Sequence, residues 1–408
     1  MMARKVESGG RRRPSASTRR RRIAFRAAAV LGVVLIAAVI TEVGFRIREH
    51  FNRGWGEGPG GISIPDDRWG WKYSIGKRRL VCPEWDVNIH VNDLYLAGPP
   101  YDAQAAATRT RLLALGDSHT FAIGVATEDN WVQALERQLN EQQKSDSFIT
   151  YNAAIPAYSL QQYLVRLIDQ GPVLKPHYVL VGFCYATDLY DMIVGLRQIE
   201  FRPGLRMTYF DLDPNGTLVE RLWEIPVDSV QKVSNPAAKL RRLLGQFATL
   251  RYLRRSSLAL FVGSRIRWGG QSLWPNMELV VEREVSEEHK GHWRLVEALL
   301  LRIRDECDKL GAHLVVVGIP YVPQVYDEIW KATFEGKEQY SRSAANERMA
   351  SLLDQHGIEY VDTLEAMRAE VRRTGQWLHF RKDAHPTAEG HTVIARTILN
   401  AGVIRIQP

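Results

Sequence analysis

The 408-residue chain is 45% hydrophobic and 25% charged, with three cysteines, a balance that excludes collagen-like, fully disordered and disulfide-stapled proteins. Its length exceeds what one small core needs, so one large domain with insertions, or a domain with an appendage, is expected. The net charge of +8 does not argue for nucleic acid as a partner: Arg4, Lys5, Arg11, Arg12, Arg13, Arg19, Arg20, Arg21, Arg22 and Arg26 face the single acid Glu7 within residues 1–26, and the remainder is close to neutral.

Residues 1–22 carry almost nothing apolar to bury and are expected to form a disordered basic tail. Residues 23–46 follow as a membrane-spanning helix, densest in apolar side chains from Ala27 to Thr41 and carrying one acid, Glu42. A span needs about 20 apolar residues, and Arg22, Arg26 and Arg46 can snorkel from its ends. Arginines concentrated on the N-terminal side place that end in the cytoplasm and the rest beyond the membrane. A cleaved signal peptide is the competing reading, against which stand the long basic segment and the poor cleavage site Thr41-Glu42-Val43.

Residues 47–110, rich in Gly, Pro, Trp and Asp, read as a linker with lead-in strands such as Asp86–Val91. From 111 to 408 strands and helices alternate. Arg111–Leu115 is a strand, Trp131–Leu139 a helix, Phe148–Asn152 a strand and Leu160–Ile168 a helix. His177–Phe183 is a strand, Trp293–Leu310 a helix, His313–Pro320 a strand, Asn346–Gln355 a helix and Ile358–Asp362 a strand, and the last helix starts near Pro386. Continuous apolar strands between amphipathic helices predict an α/β fold with a doubly wound parallel sheet. Residues 190–290 interrupt the alternation and are expected to be a helical insertion, with a polar turn at Asp211-Leu212-Asp213-Pro214-Asn215-Gly216 and, in 238–261, Leu240, Leu243, Leu244, Phe247, Leu250 and Leu253 at helical spacing among arginines.

Two segments carry chemistry. Gly116-Asp117-Ser118-His119 closes the first strand, where a tight turn into a helix lifts the Ser118 hydroxyl to the carboxyl edge of the sheet, over the helix's N-terminal amides. Asp383 and His385 lie in the loop before the last helix. His385 is the expected general base for Ser118 and Asp383 its orienting partner. A helix cap at Asp383 with Pro386 in the first turn is the bland reading of the same residues, and both hold together. Asp117 reads as a turn-stabilising acceptor, His379 and His391 as structural, Trp377 as a core aromatic, and Asp188 and Asp191 lack the partner a glycosidase needs. The cysteines show no zinc spacing; Cys184 reads as a buried small hydrophobe, and nothing in the sequence supports a Cys82–Cys307 disulfide. Neither metal nor cofactor is expected.

On these segments the chain resembles the SGNH (GDSL) hydrolase superfamily, over roughly residues 110–190 and 295–400. Gly116-Asp117-Ser118 matches its first block and the Asp383/His385 loop its last. The second block is an Asn followed five residues later by a Gly that donates its amide to an oxyanion; here Asn152 is followed at that place by Ala157. The third is Gly-x-Asn-Asp, and Thr187 stands at the Asn position before Asp188. The resemblance implies a flavodoxin-like SGNH fold and an acyl-serine enzyme, with Ser118, His385 and Asp383 catalytic and Ala157 and Thr187 in the oxyanion hole. The Asp-x-His spacing and His119 look like the bacterial branch acting on cell-surface polysaccharide. That implies an esterase or O-acetyltransferase of acylated glycan or another small ester, held in the inner membrane with its domain in the periplasm. The alternative is a catalytically weak module of the same fold that binds glycan or scaffolds an envelope assembly, for which Ala157 and Thr187 are the support.

Overall fold

A computed structural model of the chain describes residues 16–52, 62–82, 84–190, 192, 206–224, 277–381 and 383–406. Helix α1, Ala16–Asn52, contains the stretch Ala28–Arg46, whose mean hydropathy of 2.4 makes it long and apolar enough to cross a membrane. This is compatible with an anchor or with a signal sequence. Its one acid, Glu42, is paired with Arg46 one turn later, where Nε donates to Oε1 at 2.8 Å.

In the compact unit that holds the main sheet, residues 62–101 build two antiparallel hairpins ahead of it. Strand β1, Ser63–Asp66, pairs with β2, Gly70–Tyr73, and β3, Gly76–Cys82, pairs with β4, Trp85–Val91. Tyr73, Leu80, Ile89 and Val91 are buried, so this segment packs into the body of the unit. Helix α2, Ala103–Thr108, is capped by Asp102, whose Oδ1 accepts the amides of Gln104 and Ala105, and leads into β5, Thr110–Gly116.

Past β5 come α3, Ser118–Phe121, α4, Trp131–Gln143, β6, Phe148–Asn152, α5, Leu160–Leu174, and β7, Tyr178–Cys184. Strands β8, Arg206–Leu212, and β9, Leu218–Glu224, form a separate hairpin. Then follow α6, Glu287–Leu310, β10, His313–Ile319, α7, Ala344–Gln355, β11, Glu359–Asp362, α8, Leu364–Thr374, and α9, Ala388–Ala401, with shorter helical pieces between. The five strands β6–β5–β7–β10–β11 pair in that order, all parallel. The first of these five strands in chain order, β5, therefore lies second in the sheet, which is the flavodoxin-like doubly wound order.

Alternation along β5 explains the two layers. Leu113 and Leu115 face a core with Leu164 and Leu167 of α5 and Val296, Leu299 and Leu300 of α6. Leu112 and Ala114 face the other, with Trp131 and Leu135 of α4 and Val393, Ile394 and Ile398 of α9. Burial on both faces is why the strands read as continuous apolar runs.

The insertion needs a correction. The described residues between 190 and 290 include the β8–β9 hairpin, closed by a turn in which Asp213 Oδ1 accepts the amides of Asn215 and Thr217 and Gly216 takes φ +81°. The polar turn expected at Asp211–Gly216 is present, but the residues on either side of it are strands and not helix, because an Asp-Pro-Asn-Gly turn between two seven-residue strands is hairpin chemistry. The basic stretch 238–261 lies outside the described residues. Helix α8 was not anticipated: it buries only Leu364 and Met367, too narrow a stripe to stand out.

Candidate active site

The order of the sheet reverses between β5 and β7, where ligands of such folds bind beyond the carboxyl ends of the strands. Ser118 follows β5 at that edge and is partly exposed. The turn that presents it depends on close packing: a Cβ on Gly116 would come within 2.2 Å of Thr120 Oγ1, and one on Gly182 of β7 within 2.1 Å of the same atom. Asp117 caps α3 by accepting the His119 amide on Oδ1 at 2.8 Å.

The structure brings Ser118, His385 and Asp383 together. His385 Nε2 lies 2.8 Å from Ser118 Oγ, and His385 Nδ1 lies 2.6 Å from Asp383 Oδ1. The His385 and Asp383 side chains are 19% and 17% exposed, enough to meet a substrate yet mostly shielded from water. Burial alone would raise the Asp383 carboxyl, but the His385 hydrogen bond and charge, with the Trp85 indole, hold it below the usual carboxylate range. An ionised Asp383 requires a proton on Nδ1 of His385, which leaves Nε2 to accept the Ser118 proton.

Two amides stand at the places the oxyanion reading names. Ser118 is the first residue of α3, so its N–H has no intrahelical partner. Among the described residues no acceptor takes that amide or the Ala157 amide. Ala157 is exposed and adopts φ +66°, the left-handed backbone that the corresponding glycine would take freely. Its turn is braced from both sides. Trp71 Nε1 donates to Pro156 O at 3.2 Å, and the Tyr158 hydroxyl donates to Trp71 O. Asn152 supports the approach to the turn, donating from Nδ2 to Thr120 O at 2.8 Å and accepting the Ala154 amide on Oδ1 at 3.1 Å.

Thr187 departs from the expected oxyanion role. Its hydroxyl donates to Asp117 Oδ2 at 2.6 Å, and a hydroxyl has one proton to give. An asparagine amide, with two protons, could serve both places; threonine serves the buried carboxylate. Asp117 is 1% exposed and also accepts from His119 Nδ1 at 3.1 Å. Burial would raise Asp117, but the His119 charge and hydrogen bond and the Thr187 hydroxyl hold it below the usual range. His119 is correspondingly pushed well above an ordinary histidine by Cys184 and Asp117, against the opposing effect of burial. Its ring lies 4.8 Å from that of His385, so a buried ion pair sits behind the His385 imidazole.

Asp117, His119 and Cys184 each offer a ligand atom, all within 4.8 Å of one another, and are the grouping of metal-ligating side chains among the described residues. With the Asp117 oxygens already accepting three donors, the group acts as hydrogen-bonded support for the turn. Asp188 faces inward, accepting from Tyr163 Oη at 2.6 Å and from the Cys184 amide at 2.8 Å. Trp85, whose Nε1 donates to Asp383 Oδ2 at 2.6 Å, was not anticipated. Nothing in the sequence near Trp85 points 298 positions along the chain to Asp383.

No protein-family model matches the chain, and no curated protein does. Solved structures similar to it include a catalytic mutant of Axe2, an acetylxylan esterase from Geobacillus stearothermophilus, at 13% identity, covering 73% of this chain and 96% of that one with a TM-score of 0.39. The psychrotrophic esterase EstA from Pseudoalteromonas sp. is similar at 12% identity, covering 71% and 95% with a TM-score of 0.33. TesA is similar at 13% identity, covering 71% and 96% with a TM-score of 0.34.

Proposed function

We propose that the chain is a serine ester hydrolase or O-acyltransferase of the SGNH type, with Ser118 the nucleophile, His385 the general base and Asp383 its orienting acid. The observation that carries this is the continuous relay Ser118–His385–Asp383 at 2.8 and 2.6 Å, at the switch point of the sheet. As Ser118 Oγ attacks an ester carbonyl, its proton passes to His385 Nε2, and the imidazolium is stabilised by ionised Asp383. The tetrahedral oxyanion is met by the backbone amides of Ser118 and Ala157. Collapse breaks the ester C–O bond, His385 returns the proton to the leaving alcohol, and an acyl-Ser118 remains. Water then attacks for hydrolysis, or a sugar hydroxyl for transfer. An acylated cell-envelope polysaccharide is the substrate class in keeping with the Asp-x-His resemblance, and α1 would anchor the domain at the inner membrane, facing the periplasm.

The test uses the detergent-solubilised full-length chain, a fluorophosphonate probe and p-nitrophenyl acetate. Wild type is expected to label covalently and turn over, and Ser118→Ala to do neither. Equal labelling of the two proteins overturns the assignment. Absence of labelling and of turnover in wild type favours the glycan-binding alternative.

A further inference from the structure

We infer that Trp85 and Glu84, at the turn of the β3–β4 hairpin, are positioning residues for the acid of the triad, an inference that rests on the triad reading above. Asp383 sits in a tight loop, where Phe380 N donates to His385 O at 2.9 Å and Ala384 N donates to Phe380 O at 3.1 Å. Ala384, the residue between Asp383 and His385, is held at φ +66°, so the loop keeps a backbone that alanine adopts reluctantly. Glu84 pins it: Oε1 accepts the Arg381 amide and Oε2 the Asp383 amide, each at 3.0 Å. One carboxylate thus spans the backbone on either side of position 382.

The Asp383 carboxylate itself has a broad terminal torsion. Held by His385 alone on Oδ1, it could swing out of the imidazole plane or turn to water. Among the described residues the Trp85 indole is the donor to Oδ2, and bonds on both oxygens fix the carboxylate plane. The indole is itself closely packed. Trp85 is buried, and Gly124 passes so close that a Cβ there would lie 2.9 Å from Trp85 Cδ1 and 2.6 Å from Phe380 Cε2. The geometry therefore runs without a gap from hairpin to Asp383, His385 and Ser118. The segment preceding the parallel sheet is part of the catalytic apparatus, and more than a spacer behind α1.

The experiment compares Trp85→Phe with wild type in the full-length chain. The phenyl ring keeps most of the packing and removes the donor. Misorientation of this kind costs about 10- to 100-fold, so kcat for p-nitrophenyl acetate should fall by that factor with KM unchanged. In an Asp383→Asn background the same substitution should change the fluorophosphonate labelling rate less than about twofold, because the two act as one unit. A purely structural Trp85 would lower the melting temperature and leave kcat in place; an unchanged kcat, or equal losses of labelling rate in the wild-type and Asp383→Asn backgrounds, overturns the inference. If Trp85→Phe does not fold, Glu84→Gln reads the same loop with the indole intact. It should lower kcat several-fold at constant KM, and wild-type kcat overturns the inference. Inactive Ser118→Ala beside fully active Trp85→Phe overturns this inference and leaves the triad standing, whereas active Ser118→Ala overturns both.

Discussion

Replacing Thr187 with valine separates two roles that the sequence alone leaves merged. Valine keeps the shape and removes the hydroxyl. If Thr187 faced the oxyanion, its loss would cost about 100- to 1000-fold in kcat with little change in stability. In the structure the hydroxyl instead donates to buried, ionised Asp117 at 2.6 Å, leaving that carboxylate the His119 amide and ring as remaining donors after substitution. A hydrogen bond to a charged group contributes about 1.5–3 kcal/mol. At about 2–4 °C per kcal/mol for a large domain, Thr187→Val should lower the melting temperature by several degrees. Because the Ser118 and Ala157 amides are untouched, kcat should fall less than about tenfold, the small loss coming from loosening of the turn beneath Ser118. Differential scanning fluorimetry and p-nitrophenyl acetate kinetics on the same preparation give both numbers. A loss of about 100-fold or more in kcat at an unchanged melting temperature would refute the reasoning and return Thr187 to the oxyanion hole.

Two further outcomes follow from backbone and burial. At Ala157 the left-handed backbone costs alanine about 1–2 kcal/mol, while glycine would lose about 0.5–1 kcal/mol through unfolded-state entropy. Ala157→Gly should therefore be near neutral in both stability and kcat, whereas Ala157→Val, β-branched at φ +66°, should lose activity and stability together, and a wild-type-like valine variant would refute the conformation. His379 and His391 are buried, and burial together with the nearby His119 and His385 pushes both down to about 3. Between that value and the ordinary histidine value of about 6.5, the unfolded chain binds protons that the folded chain excludes, so stability falls as pH falls. The two contribute a slope of up to about 2.7 kcal/mol per pH unit. Denaturant melts of His391→Leu across this window should show about half that slope, and a slope equal to wild type would count against neutral burial of His391.

Much of the architecture was legible because it is written in local terms. Short apolar runs such as Leu112–Leu115 and Val179–Phe183, bounded by turn residues and alternating with amphipathic helices, read as doubly covered strands, and the Gly-Asp-Ser turn and the Asp-x-His loop lie within a few residues each. The hairpins of residues 62–101 were harder: their strands are short, polar on one face and interrupted by turns, so only Asp86–Val91 stood out. The β8–β9 hairpin was obscured in the same way, its strands carrying Arg206, Asp211, Glu220, Arg221 and Glu224 among the apolar positions.

The sequence by itself determined the secondary elements of the sheet, the apolar stretch of α1 and the candidate residues Ser118, His385 and Asp383, since each depends on side-chain type and spacing along the chain, although it did not show that α1 begins at Ala16, within the segment expected to be disordered. Only the tertiary structure decided where the polar side chains direct their protons. Thr187 turns to Asp117 because that carboxylate is buried 70 positions away, and Asp383 is held by an indole 298 positions away. A hydrogen bond is satisfied by whichever partner folding brings within reach, and partners that distant in sequence leave no periodicity or spacing to read.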